Sequence, residues 1–123
     1  MSVLPDSAEV DLTVRVTGLP DGGESTFRLL ARNGSVSPES TVPDAAAALA
    51  AVERFGEEIF FAVRRPDMIC TQQYGGPQVA VVTGVLHGRR VHSRFSLTDG
   101  CEIARWRAME PLLGGAASRR GLI

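Results

Sequence analysis

The segment QVAVVTGVLHGRRVHSRFSL, residues 78–97, constrains the fold more than any other. Two arms flank His87-Gly88, a pair suited to a tight turn, so the segment reads as a β-hairpin. In the first arm Val79, Val81 and Val85 point one way and Ala80 and Val82 the other, so both faces are apolar. Such a strand belongs inside a sheet with both faces covered, the second by another subunit. In the second arm Val91, Ser93, Phe95 and Leu97 share a face, while Arg90, His92, Arg94 and Ser96 take the opposite, wet one.

Upstream, VDLTVRV (10–16) alternates strictly, with Val10, Leu12, Val14 and Val16 on one side. STFRLLA (25–31) does the same with Phe27, Leu29 and Ala31, and the Gly- and Pro-rich GLPDGGES between them makes the two an antiparallel pair. Residues 32–44 are polar and proline-punctuated and read as a long loop. AAAALAAVERFGEEIFFAV (45–63) reads as a helix capped by Asp44, with Ala48, Leu49, Val52 and Phe55 at helical spacing. Gly56 predicts a kink or break in it. TDGCEIARW (98–106) reads as a turn into a short helix that ends before Pro111. A chain of 123 residues has room for one core, expected over 10–113, with a short extension at 1–9 and a disordered Gly-, Ala- and Arg-rich tail at 114–123.

A net charge of −1 gives no general pull toward nucleic acid or anionic lipid, and no apolar run nears the roughly 20 residues that span a bilayer. The opening MSVLPDSAEV has neither a basic nor an apolar signal region, so the chain is expected to be either cytoplasmic or a mature form. Arg89, Arg90, Arg94, Arg105 and Arg107 lie near Phe95 and Trp106, but acidic residues balance the total and Trp106 reads as a packing anchor. Glu53, Glu57 and Glu58 read as a solvated helix face rather than a catalytic pair. Cys70 and Cys101 with His87 and His92 lack the spacing of a zinc site, and neither metal nor cofactor is expected. Cys70 with either histidine lacks an oxyanion hole and an orienting third group, so an enzyme is not expected. The two cysteines read equally well as free thiols or as a disulfide, and a disulfide closing a loop of about 30 residues would stabilise by roughly 3–4 kcal/mol.

CTQQYGGPQ (70–78) resists helix and strand alike and reads as an exposed loop. Tied at Cys70 to Cys101, it would stay extended from Thr71 to Tyr74 and suit a protease cleft, which pairs with the main chain of an extended peptide. Held in the bound shape, it would lose little entropy on binding, and the ends of a cut loop would stay in place to rejoin.

The stretch MICTQQYGGPQVAVVTGVLHGRRVHSRFSLTDGCEIARW resembles the actinobacterial subtilisin inhibitor-like family. The features shared are Cys70 before the reactive peptide, Tyr74, Pro77, the hairpin with Gly84 and Gly88, the basic strand RRVHSRF and Cys101 opening a helix. The resemblance, which spans about residues 10–107, implies an α+β fold: a five-stranded antiparallel sheet backed by one long and one short helix, paired through the sheet as a homodimer. It implies a secreted inhibitor of subtilisin-like serine proteases, with Gln72–Gln73 as the reactive bond, Cys70 and Thr71 in the preceding subsites and Tyr74 in a following one. Alanines at 31 and 46 replace the family's second disulfide, which should loosen residues 32–44. Gln72 stands where strong inhibitors carry Met or Lys, and Gly75 with Gly76 should loosen the loop. The alternative is a non-inhibitory module on the same scaffold that binds a partner or is cross-linked through its glutamines.

Overall fold

The computed structural model describes residues 9–19, 22–61 and 69–113. Its elements are β1 (Val10–Thr17), β2 (Ser25–Arg32), β3 (Ser35–Val36), α1 (Ala45–Phe61), β4 (Val79–Leu86), β5 (Arg89–Ser96) and α2 (Gly100–Ala108). Every strand pairing is antiparallel, and the five strands form one sheet in the order β3-β2-β1-β4-β5. The architecture is the expected α+β one, with a long and a short helix. Most of the expected N-terminal extension, the last two residues of the expected long helix and the tail 114–123 lie outside the described residues.

Alternation puts Val10, Leu12, Val14 and Val16 of β1 on the inner face, almost wholly buried. Leu29 and Ala31 from β2, Ala80 and Val82 from β4, and Val91 and Phe95 from β5 complete that face. Ala48, Leu49, Val52 and Phe60 of α1, and Ile103 and Trp106 of α2, join them in one cluster. Phe60 meets Phe95 edge-on at 6.2 Å between ring centroids, and the Arg105 guanidinium lies 4.5 Å above the Phe95 ring. β4 is an interior strand, paired to β1 on one side and β5 on the other. On its outer face Val79 and Val81 are half-buried and Val85 is exposed, so within one chain that apolar face is only partly covered.

Two expectations are corrected. Helix α1 runs unbroken through Gly56, which is buried; a Cβ there would come within 3.0 Å of Leu86 Cδ2. Glycine lets Leu86 pack against the helix backbone, and that packing outweighs a propensity cost of about 1 kcal/mol. Asp44 does cap the helix, its Oδ1 accepting from Ala47 N at 3.1 Å. Residues 32–44, expected to be a loose loop, turn back at Asn33 and Gly34 (φ 55° and 76°) into β3. Beyond it they follow the edge of β2: Ser37 N and Thr41 N donate to Leu30 O and Arg28 O at 2.7 and 2.8 Å. In return Leu30 N donates to Ser40 Oγ and Arg28 N to Thr41 Oγ1, at 2.9 and 2.8 Å. These bonds occupy an edge that would otherwise be open, and they hold the segment without a second cross-link.

Glu53 and Glu57 are exposed, yet both point at the β4–β5 turn, pairing with His87 Nε2 at 2.6 Å and Arg89 Nη1 at 3.2 Å. Arg89 also lies 3.7 Å above the Phe61 ring, so the end of α1 rests on the hairpin. On the outer face Asp11 accepts two bonds from Arg28 at 3.1 Å, and that bonding raises the guanidinium above its ordinary value.

Phe95 joins the sheet to both helices. Phe95→Ala should cost about 3–5 kcal/mol, read as a lower urea midpoint at unchanged slope.

Candidate functional site

Residues 69–78 lead into β4, and their first foot stands on the start of α2. That start is firmly built: Asp99 in extended conformation caps the helix, its Oδ1 accepting from Glu102 N at 2.9 Å. Ile103 and Trp106, one and two turns on, are buried in the core and fix the helix axis. Cys101 in the first turn is bonded to Cys70, with the two Cα atoms 5.3 Å apart. Gly100 N beside it donates to Thr71 O at 3.0 Å, so a covalent and a hydrogen bond hold consecutive loop residues to consecutive helix residues.

The second foot stands on the segment after β5. Gly75 N donates to Leu97 O at 2.7 Å, and Leu97 is a buried core residue. A Cβ on Gly75 would lie 3.2 Å from Leu97 Cβ and 3.3 Å from Ile103 Cδ1, so the backbone sits directly on the core surface. Gly75 is therefore a contact point and not the source of looseness expected from its composition. Three residues further, Gln78 is 2% exposed and its Oε1 has no hydrogen-bond partner among the described residues.

Between the feet, Gln72, Gln73 and Tyr74 are exposed, Tyr74 at 69%. Residues 69–78 contain no carboxylate, guanidinium or imidazole. The outcome is three uncharged residues held away from the body by fixed bonds on either side. Ile69, 94% exposed, flanks the first foot; the sequence reading did not single it out. Its signal was an apolar residue immediately before a loop cysteine, where burial was the default assumption. Gly100 and Leu97 were also missed, because nothing local marks a residue that bonds across 20 to 30 positions of sequence, and so was Gln78, a polar residue at a strand start whose burial nothing local marks.

The sulfur of Cys70 is spent in the disulfide and is not a thiolate nucleophile in this state. His87 is engaged with Glu53, and His92 is exposed on the outer face of β5. Asp99 stands beside the two cysteines, but with their sulfurs joined the group offers a cation one carboxylate. No helix among the described residues is long and apolar enough to cross a membrane.

The chain is similar in structure to sermetstatin of Streptomyces caespitosus, solved in complex with Bacillus licheniformis subtilisin. The two are 23% identical with a TM-score of 0.52, over 83% of this chain and 94% of that one. No family model matches the sequence, and no curated protein matches it. The likeness establishes the fold, which is that of the subtilisin inhibitor-like proteins.

Replacing Cys70 and Cys101 together with Ser should lower stability by about 3–4 kcal/mol, measured by urea denaturation. Amide exchange at Gly100 should quicken beyond that of β4, because the first foot then rests on one hydrogen bond.

Proposed function

We propose that the chain is a proteinaceous inhibitor of subtilisin-like serine proteases, acting as a substrate that is released uncut. The observation that carries this reading is the exposed run Gln72–Tyr74 held by Cys70–Cys101 and Gly100 on one side and by Leu97 on the other. The run would enter the cleft as an added strand, with Gln72 in the primary pocket and Gln72–Gln73 as the bond presented to the nucleophilic serine. Cys70, Thr71 and the exposed Ile69 would fill the preceding subsites and Tyr74 a following one. If the bond is cut, the acyl side stays tied through Cys70 and Thr71, and the amine of Gln73 stays within two residues of the Gly75–Leu97 bond. The amine then remains where it can attack the acyl-enzyme, so the bond reforms faster than the ends part.

Gln72 shapes the affinity. A neutral amide gains little in a hydrophobic pocket and cannot pair with a buried acid, whereas a pocket able to hydrogen-bond it would select for it. The disulfide is compatible with an oxidising, extracellular setting, where a secreted inhibitor would meet its target. The partly covered outer face of β4, with Val79, Val81 and Val85, is the surface through which two copies would pair. The active unit would be the domain over residues 10–113, with no enzymatic role and no cofactor.

The deciding experiment is titration of subtilisin with the oxidised protein while its intact mass is followed. Tight inhibition with the chain intact, or cut once between Gln72 and Gln73, is expected. Rapid cleavage without inhibition would reduce the loop to a substrate, and an intact chain without inhibition would favour a partner-binding module. Gln72→Met should tighten binding to subtilisin by about tenfold or more, an apolar side chain in an apolar pocket being worth some 1–3 kcal/mol. Sedimentation should give twice the 13.1 kDa chain mass, and Val81→Arg should return it to one.

A further inference from the structure

Two glycines at the feet of the loop are places where another residue lies directly against the backbone. Gly100 is the first residue of α2, a position at which alanine is the better helix former. A Cβ there would nonetheless overlap Thr71 Oγ1, with Thr71 Cβ at 3.2 Å and Thr71 N at 3.4 Å. Gly76, at the other end, has φ +139°, a backbone conformation that residues with side chains rarely adopt. A Cβ there would overlap Gln78 Oε1 and stand 3.3 Å from Gln78 Cδ, so the buried amide folds back under its own loop. Gln78 Oε1 accepts no hydrogen bond among the described residues, so what the oxygen contributes there is contact with the Gly76 backbone.

On the inhibitor reading of the loop, we infer that Gly100 with Thr71, and Gly76 with Gln78, are positioning pairs that set the rigidity of Gln72–Tyr74. At each glycine the partner side chain occupies the space that a Cβ would take, Thr71 doing so while exposed on its other side. Thr71 adjoins Gln72 in the chain, and its β-branched side chain has few rotamers. A methyl group on Gly100 turns Thr71 out of its seat and carries the strain to the reactive bond. A methyl group on Gly76 acts from the Tyr74 side, by straining the backbone at φ +139° as well as by displacing the Gln78 amide. Composition alone counts these glycines as freedom; the packing makes them close-contact points.

The test compares Gly100→Ala and Gly76→Ala with the wild type by three readouts: the inhibition constant against subtilisin, the rate of cleavage at Gln72–Gln73, and backbone order parameters of residues 72–74. The wild type should show order parameters near those of β4, about 0.85. Both variants should lower them, weaken inhibition about ten- to a hundredfold and speed cleavage, a displacement near 1 Å being enough for such a change. In a Thr71→Ala background, which removes the overlapping oxygen, Gly100→Ala should produce little further loss. Gln78→Ala should loosen the loop, and Gln78→Met, which refills the space without an amide, should restore order relative to it.

Unchanged order parameters and unchanged inhibition in both glycine variants would overturn the inference, as would an equal loss from Gly100→Ala with and without the Thr71 hydroxyl. If the wild type does not inhibit but the order parameters respond as described, the positioning pairs stand and the inhibitor reading falls. Should Gly76→Ala fail to fold, Gly100→Ala, at a position where helix propensity favours the change, carries the test alone.

Discussion

The ladder between β1 and β4 holds the molecule together. Val10 to Thr17 lie antiparallel along Leu86 to Val79, although some 60 residues separate the strands in sequence. Everything between them, including β2, β3 and α1, is an excursion that leaves the middle of the sheet and returns to it. Closing so long an excursion costs loop entropy, which the buried inner faces of both strands offset. The same register decides where the chain enters the sheet. With Val79 opposite Thr17, residues 69–78 must arrive at that end of β4.

At that end the chain also leaves β5, since Val79 pairs with Ser96. The turn after β5 and the start of α2 therefore lie beside the loop without any element dedicated to bringing them there. Leu97 offers a carbonyl to Gly75, Gly100 an amide to Thr71, and Cys101 a sulfur to Cys70. The helix carrying two of these is capped by Asp99 and anchored by Trp106, so the loop is braced by the core itself. Bracing on each side leaves little of the loop to be ordered at the moment any partner binds it, and ordering costs affinity.

Much of this was legible in the residues. Strict alternation at Val10 to Val16 and on the second arm of the hairpin left one assignment for each of those inward faces, since a slip of one residue would expose the apolar set. Asp44 and the alanine run marked where α1 begins, and the apolar second face of β4 marked it as interior. The readings that failed were those made from glycine and proline content and from the absence of a second disulfide. Gly56 was expected to kink or break a helix that it serves by admitting Leu86, and residues 32–44 were expected to be loose where side-chain hydroxyls and backbone amides bond them to β2. Gly75 likewise turned out to be a contact with the core. Composition reports the freedom a residue has in isolation, and none of these glycines is isolated.

By itself the sequence determined both helices and every strand but β3, the inward faces of β1, β2 and β5, and an uncharged, exposed run from Gln72 to Tyr74 beside a cysteine. These follow from periodicity and backbone propensity, which act over a few residues. Tertiary structure alone decided that Cys70 meets Cys101, that Leu97 and Gly100 reach the loop backbone, and that Ile69 stands exposed at its foot. Those contacts join residues about 20 to 30 positions apart, and the register of β4 against β1 and β5 is what sets them side by side.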